Sequence, residues 1–311
     1  MTEPPDSRPY GAGPPPPAGE IQAPSKVTAP GIRARKGSGR PILALTAYDS
    51  PTARLVDEAG FDLILVGDSM ANVVLGHATT LKITLDQIIS ATRAVKRAVD
   101  RPLVVSDMPF GSYHTGVRDT LVNAVRLVRE GGAQAVKLEG GRSRAELVRE
   151  LVRAEIPVLG HIGLLPQSYH SAGGYRVQGR TAESARALLE DAQALEDAGA
   201  FAVVLEGVPA PVAAAITARI SIPTIGIGAG PGCDGQILVF HDVVGFTTAP
   251  PPKFVRRYAD LAGVVREALG RLAADIRAGA FPGPEECYSF RGELPAEWRD
   301  EAPAARPDPR P

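Results

Sequence analysis

The chain has 311 residues, 44% of them hydrophobic, with 34 basic and 35 acidic side chains and a formal net charge of −1. This composition can bury one large core, lacks the basic excess of a nucleic-acid-binding protein, and contains no apolar run long enough to cross a membrane. The two cysteines, Cys233 and Cys287, form no disulfide pattern and no secretory signal is recognisable, so we expect a cytoplasmic protein.

The two ends of the chain differ in composition from the middle. Residues 1–30 contain nine prolines and almost no aliphatic clusters, and such a segment cannot bury enough apolar surface to fold. Residues 293–311 are similarly rich in proline and charge. We therefore predict disordered arms over 1–30 and 293–311, and one folded domain over 31–292.

Between the arms, eight short apolar segments alternate with helical patterns. Each segment is almost continuously apolar, as strands buried on both faces are. The predicted strands are Ile42–Thr46, Leu63–Val66, Leu103–Ser106, Ala135–Leu138, Val158–Ile162, Ala202–Leu205, Thr224–Gly228 and Ile237–Phe240. Several intervening helices end at glycine signals, at Gly60, Gly132 and Gly199.

This alternation predicts parallel strands joined by right-handed crossovers. A doubly wound open sheet and a closed barrel both fit the pattern. We favour a (β/α)₈ barrel, the TIM barrel of the α/β class, because eight units occupy about 200 residues and no dinucleotide fingerprint follows the first strand.

Polar side chains follow most predicted strands, at the end where a barrel carries its active site. They are Asp68 after strand two, Asp107 after strand three, Lys137 and Glu139 in and after strand four, His161 in strand five, and Glu206 after strand six. Each carboxylate has an alternative interpretation as the N-cap of the next helix. Glycine- or proline-rich loops follow them instead, which favours convergence at one mouth. His161 fits either a core histidine or a site residue.

The chemistry of these residues favours a hard metal ion. Clustered carboxylates repel each other unless a cation or a proton intervenes, and Asp and Glu oxygens suit Mg²⁺. No His or Cys cluster has the spacing of a zinc site. Lys137 and Glu139 share a strand face. The lysine can pair with Glu139, bind a substrate carboxylate or form a Schiff base, and its acidic neighbours favour anion binding.

Longer segments around these residues form a recognisable series. They are LTAYDSPTARLVDEAG (Leu45–Gly60), VGDSMANVVLGHATT (Val66–Thr80), VSDMPFGSY (Val105–Tyr113), AVKLEGG (Ala135–Gly141), GHIGLLPQS (Gly160–Ser168), GGYRVQGR (Gly173–Arg180), LEGVP (Leu205–Pro209) and IPTIGIGAGPGCDGQILVFHD (Ile222–Asp242). Together they resemble the ketopantoate hydroxymethyltransferase family from about Arg35 to Phe290. Departures such as Lys82 and Leu165, where the family often has proline and threonine, leave the metal and base positions intact.

The resemblance implies a TIM barrel that uses Mg²⁺ and small-molecule substrates. It implies transfer of a one-carbon unit from 5,10-methylenetetrahydrofolate to 3-methyl-2-oxobutanoate, in pantothenate and coenzyme A biosynthesis, and a homodecameric assembly. The implied roles are metal ligation by Asp68, Asp107 and Glu139, substrate contacts from Asp68, Ser69, Asp107 and Lys137, and general base catalysis by Glu206.

Two other functions remain compatible with the residues. A lyase or mutase of the phosphoenolpyruvate-mutase and isocitrate-lyase type needs a different loop acid or nucleophile, often a cysteine, and Cys233 and Cys287 are not placed for that role. A catalytically silent metabolite-binding barrel predicts the loss of a metal ligand or of the base, whereas every implied residue is present.

Overall fold

Eight parallel strands close into a barrel in the order of the sequence. The computed structural model describes residues 25–247, 250–293, 295 and 298. The strands are β1 (Ile42–Thr46), β2 (Leu63–Val66), β3 (Leu103–Asp107), β4 (Ala135–Glu139), β5 (Val158–Gly163), β6 (Ala202–Glu206), β7 (Thr224–Ile227) and β8 (Gly235–Leu238). Each pairs with the next, and β8 pairs with β1. The predicted TIM barrel is therefore confirmed, and the doubly wound alternative is wrong.

The last strand is the one whose predicted position was wrong. β8 begins two residues earlier than expected and ends at Leu238, so that Phe240 starts a short helix instead of ending the strand. Gly235 allows this register because a Cβ there would lie 2.5 Å from the carbonyl oxygen of Ile42 on β1. Beyond the strand, the Phe240 N–H donates to Thr46 Oγ1 at 3.1 Å, which turns the chain over the end of β1.

Helices surround the barrel and connect its strands. They are α1 (Ala29–Arg33), α2 (Ser50–Glu58), α3 (Met70–Val73), α4 (Leu85–Lys96), α5 (Val117–Arg126), α6 (Ala145–Arg153), α7 (Tyr169–Ala172), α8 (Ala182–Asp197), α9 (Ala210–Thr217), α10 (Phe240–Val243) and α11 (Leu261–Ala278). Capping boxes at Thr84 and Thr181 begin α4 and α8, where side chains satisfy backbone N–H groups that lack helical partners. Within the described residues, no helix is long and apolar enough to cross a membrane.

The N-terminal end of the barrel is closed by α1 and the residues before it. Val27, Ala29 and Ile32 are buried and belong to the same apolar cluster as the inward-facing side chains of the strands. The Val27 N–H also donates to the Arg101 carbonyl at 2.8 Å. This short segment therefore fills the end of the barrel opposite the mouth that the strand-end carboxylates line.

The predicted boundary of the N-terminal arm at residue 30 is too late. Residues 25–30 pack on the barrel because Val27 and Ala29 supply apolar contacts that the proline count concealed. The rest of that arm, residues 1–24, lies outside the described residues. Most of the predicted C-terminal arm, residues 294, 296–297 and 299–311, lies outside them as well.

An ion-pair cluster ties α1 to the same end of the barrel. Arg35 donates to both carboxylate oxygens of Asp62, at 2.5 and 2.8 Å, and Arg101 lies 3.4 Å from the same carboxylate. The Leu43 N–H of β1 donates to it at 3.0 Å. Burial alone would raise the pKa of Asp62, but the bonds from Arg35 and Leu43 outweigh it and hold the pKa below its usual value.

Candidate active site

The polar residues predicted at the strand ends meet at the C-terminal mouth of the barrel. Asp68, Asp107, Lys137 and Glu139 are all buried, and they line one cavity of about 500 Å³ together with Glu206. Lys137 and Glu139 both face this cavity, as their spacing on one strand predicts. Residues of the loops that follow the strands complete the cavity walls.

The alternative interpretation of the carboxylates as helix caps is wrong. The residues that precede the helices or helical turns after these strands are Ser69, Gly116, Gly141 and Pro209, and none of them is a strand-end carboxylate. Asp49 after β1 does cap its helix, since its Oδ1 accepts from the Thr52 N–H at 2.8 Å. The four carboxylates are therefore held at the mouth by tertiary contacts.

The register of β3 and β4 sets the first charged pair of the site. Asp107 and Lys137 are cross-strand partners, and Lys137 Nζ lies 2.7 Å from Asp107 Oδ1. The ion-pair partner of the lysine is therefore Asp107, and the structural Lys137–Glu139 pair considered from the sequence is wrong. Asp107 Oδ2 accepts from the Asp68 N–H at 2.8 Å, which fixes the loop after β2 against β3.

The register of β4 and β5 sets the second group and places His161 in the site. Glu139 and His161 are cross-strand partners, and His161 lies between two carboxylates. Its Nδ1 is 3.6 Å from Glu139 Oε1, and its Nε2 is 3.2 Å from Glu206 Oε2. Burial and the charge of Lys137 lower the pKa of His161, but the two carboxylates outweigh them and raise it to about 9. The histidine that the sequence left open therefore belongs to the site, where it contacts both carboxylates.

The mouth carries an excess of negative charge. Burial and the charges of Asp107 and Glu139 raise the pKa of Asp68 to about 8, despite the opposing effects of Lys137 and of a hydrogen bond from Gln167. Asp107 Oδ1 and Glu139 Oε1 are buried, and they face Lys137 Nζ at 2.7 Å and His161 Nδ1 at 3.6 Å, respectively, so that four carboxylates share these two basic side chains. A further cation in the cavity would relieve this excess.

The donor chemistry fits Mg²⁺, although the side chains alone do not form a complete metal cage. Among the described residues, no group of three His, Cys, Asp or Glu side chains is arranged to hold an ion. Mg²⁺ does not require such a group, because it keeps several waters and usually takes one or two carboxylates together with its substrate. Buried carboxylates next to a carboxyl with a raised pKa are what such an ion would bind.

Three polar residues that support the site were not identified from the sequence. Gln167 donates from Nε2 to Asp68 Oδ2 and from its backbone N–H to Glu139 Oε2, both at 2.9 Å. Its own Oε1 accepts from the Tyr113 hydroxyl at 2.7 Å. The Tyr48 hydroxyl lies 2.8 Å from Ser69 Oγ. All three lie within the segments that carry the family resemblance. That resemblance was the one signal in the sequence that could have identified them, because their loops have no hydrophobic periodicity.

Comparisons with known proteins identify the family of the chain. Residues 26–284 match the ketopantoate hydroxymethyltransferase family. A 3-methyl-2-oxobutanoate hydroxymethyltransferase of Koribacter versatilis is 53% identical over 272 residues, 88% of this chain and 92% of that protein. One from Nitratidesulfovibrio vulgaris is 56% identical over 257 residues, 82% of this chain and 84% of that protein.

A solved structure of a different enzyme shares the fold. The crystal structure of 2,3-dimethylmalate lyase, a PEP mutase/isocitrate lyase superfamily member, has a TM-score of 0.55 and 17% identity, over 85% of this chain and 93% of that one. At this identity the likeness shows the barrel architecture alone, so it does not favour the lyase or mutase alternative. The match to the family and the relatives above 50% identity decide the assignment: the chain is an enzyme of the ketopantoate hydroxymethyltransferase family.

Proposed function

We propose that this enzyme transfers a hydroxymethyl group from 5,10-methylenetetrahydrofolate to 3-methyl-2-oxobutanoate, giving 2-dehydropantoate for pantothenate and coenzyme A biosynthesis. The observation that carries the proposal is the buried set Asp68, Asp107, Lys137 and Glu139 beside a less buried Glu206 in one cavity. Deprotonation of a 2-keto acid needs a cation for its carboxylate, stabilisation of the enolate charge, and a base. The set contains side chains suited to each need.

Lys137 and Ser69 are the side chains that we propose to bind the substrate carboxylate. Burial alone would lower the pKa of Lys137, but the charges of Asp107 and Glu139 outweigh it and raise the pKa above its usual value. A protonated lysine binds anions and cannot attack a carbonyl carbon, which favours this role over a Schiff base. The Ser69 hydroxyl is oriented by Tyr48 and lines the same cavity.

We propose that Mg²⁺ is held by Asp68, Asp107 and Glu139. Two of these residues, Asp68 and Asp107, would also contact the substrate. The burial and the excess negative charge of the three carboxylates support the proposal. When bound, the ion would polarise the keto acid as a Lewis acid. Gln167 keeps two of these carboxylates in place through its side-chain amide and its backbone N–H.

Glu206 is the general base in this proposal. Its side chain lines the cavity and is 17% exposed, more than those of Asp107 and Glu139, so it can reach a ligand. His161 contacts Glu206 Oε2 and orients the carboxylate. Glu206 would take the proton from C3 of the keto acid, and the resulting enolate carbon would bond to the one-carbon unit. Both C–N bonds of that unit to the folate break, water supplies the hydroxyl oxygen, and tetrahydrofolate leaves with a proton on each of the two nitrogens.

Two measurements on the purified full chain test the proposed activity. With Mg²⁺, methylenetetrahydrofolate and 3-methyl-2-oxobutanoate, we expect 2-dehydropantoate, detected by mass spectrometry. With Mg²⁺ and the keto acid alone in deuterated water, we expect deuterium at C3, detected by NMR. A silent binding barrel gives neither product nor exchange, and either absence would contradict the proposal.

Self-association and a cytoplasmic location complete the proposal. Helix α11 exposes Val264, Leu269, Leu272 and Ile276 along its length, and an amphipathic helix with an exposed apolar face is typical of a subunit interface. This supports a homo-oligomer, and the family resemblance implies a decamer. Native mass spectrometry of the full chain tests both, with Leu272→Glu expected to lower the subunit number. The free cysteines agree with a reducing compartment.

A further inference from the structure

The active-site cavity has a second wall, which the proposed chemistry does not use. The carboxylate cluster comes from β2 to β6, whereas this wall comes from the ends of β7 and β8 and the loop after α10. In a ring of eight strands, β8 lies opposite β4, which carries Lys137 and Glu139. A cavity of about 500 Å³ is of the size that holds drug-sized ligands, larger than a five-carbon keto acid needs. The second wall therefore has room for another ligand.

The second wall is mainly apolar and includes an aromatic ring. Ile227, Leu238 and Pro252 line it, together with Phe254. The Phe254 ring packs directly on the backbone of Gly228, where a Cβ would lie 2.8 Å from a ring carbon. The ring is thus fixed at the cavity wall by a glycine that permits close approach. Such a wall suits a flat ring, which needs only a few polar groups to fix its orientation.

Asp242 is the carboxylate of this second wall. It belongs to α10, is half-buried and lines the cavity. Among the described residues, Thr247 is the one hydrogen-bond donor to its carboxylate, at 3.2 Å, so these residues leave most of its acceptor capacity unused. Burial raises the pKa of Asp242, although Thr247 and the charges of His241 and Arg257 oppose the shift. A ligand with N–H donors would stabilise this carboxylate.

We propose that Asp242 binds the donor edge of the pterin ring of the co-substrate, with Phe254 against the ring. The inference rests on the proposed use of methylenetetrahydrofolate. A tetrahydropterin presents a 2-amino group and a neighbouring ring N–H side by side on a flat ring. Two parallel N–H donors match the two oxygens of one carboxylate, as a guanidinium does. The keto acid, by contrast, has no N–H donors, and its proposed carboxylate partner Lys137 lies on the opposite side.

Asp242→Asn tests the proposal because it keeps the size of the side chain and removes its charge. The probes are tetrahydrofolate and, separately, 3-methyl-2-oxobutanoate with Mg²⁺, and calorimetry measures both affinities. We expect tetrahydrofolate to bind about 10- to 100-fold more weakly, the range for losing a hydrogen bond to a charged group. The affinity for the keto acid should remain near that of the unsubstituted chain.

Asp49→Asn is the matched control. Asp49 also lies near His241, but it caps α2 and does not line the cavity. Asparagine caps a helix as well as aspartate does. We therefore expect this variant to bind both probes normally. A loss of tetrahydrofolate affinity that occurs in Asp242→Asn alone then reflects the place of Asp242 at the cavity wall, and not the removal of a negative charge from this region.

A change on the ligand tests the same contact without any substitution in the protein. A tetrahydrofolate analogue with a methyl group in place of the 2-amino group should bind weakly to the unsubstituted chain, and Asp242→Asn should add little to that loss. If Asp242→Asn and the unsubstituted chain bind tetrahydrofolate equally well, the inference about Asp242 is overturned and the proposed function is not. The same holds if the unsubstituted chain binds tetrahydrofolate and its 2-methyl analogue equally well. An unsubstituted chain that binds no tetrahydrofolate overturns the proposed function too.

Discussion

Replacing Glu206 by glutamine separates proton abstraction from binding. Glutamine keeps the size of the side chain and a contact to His161 but cannot accept the C3 proton. Loss of a positioned base lowers a rate by about 10² to 10⁴, which corresponds to at least ~2.7 kcal/mol of barrier at 1.36 kcal/mol per tenfold. Deuterium exchange at C3 of the keto acid, measured by NMR without folate, should therefore fall by about 10² or more.

The same substitution should change the stability only slightly. Helix α9 begins after Pro209, so Glu206 is not its cap and the cost of a lost cap is not expected. What changes is a charged contact to His161 Nε2 at 3.2 Å, which becomes a neutral one. That difference is about 1 kcal/mol, or roughly 2–4 °C in Tm for a domain of this size.

Exchange and thermal unfolding should be measured on one sample of each variant. Glu196→Gln is the control, because Glu196 also accepts hydrogen bonds, from the Ser221 N–H at 2.7 Å, but does not line the cavity. It should exchange deuterium at the rate of the unsubstituted chain. Normal exchange in Glu206→Gln would refute the assignment of the base, whatever its Tm.

Three further predictions concern the metal site, the ion-pair cluster and the chain end. Asp68→Ala and Asp107→Ala should lose Mg²⁺-dependent turnover, because each removes a hard oxygen ligand; an unchanged Mg²⁺ titration of either would exclude it as a ligand. Asp107→Ala should also have the lower Tm of the two, since it leaves a buried lysine without its ion-pair partner. Asp62→Asn should lower the free energy of unfolding by about 3 kcal/mol near pH 7, the low end of the range for breaking a buried pair, because Arg35 and Arg101 are partly exposed. Because the pKa of Asp62 is depressed on folding, its stabilisation is complete above the unfolded pKa of about 3.9 and is lost as the pH falls through the lower, folded value. The difference between the two proteins in denaturant titrations should therefore shrink below pH 4, and a constant difference would contradict this reasoning. Removing residues 1–24 should leave activity and Tm nearly unchanged, whereas removing residues 1–33 should lower Tm because it deletes the buried end of the barrel; similar melting of the two truncated chains would show that α1 contributes nothing.

The strands could be predicted from the sequence because each is a short, continuous apolar run. The exception, β8, depends on the close approach of Gly235 to Ile42, a tertiary contact that no local pattern reveals. The beginning of the barrel was also misjudged, because prolines around Val27 and Ala29 suggested an arm although their apolar side chains are buried. Composition describes a segment on average, whereas burial depends on single residues.

The residues of the site were easier to predict than their partners. Strand ends and alternation were enough to bring Asp107, Lys137 and Glu139 to one mouth. The choice of Asp107 over Glu139 as the partner of the lysine follows from strand register, which depends on the whole barrel. Gln167 could not be derived, because a loop residue acquires its role from the shape of the fold around it.

The pairing of β1 with β8 has a consequence for synthesis on the ribosome. Every strand-end carboxylate of the site lies between residues 68 and 206, whereas the strand that closes the barrel begins at Gly235. During translation, the outer edge of β1 therefore stays unpaired until nearly all of the domain has left the exit tunnel. Unpaired strand edges are templates for aggregation. Chains that terminate before residue 235 should therefore collect in inclusion bodies, although they carry the complete set of catalytic side chains.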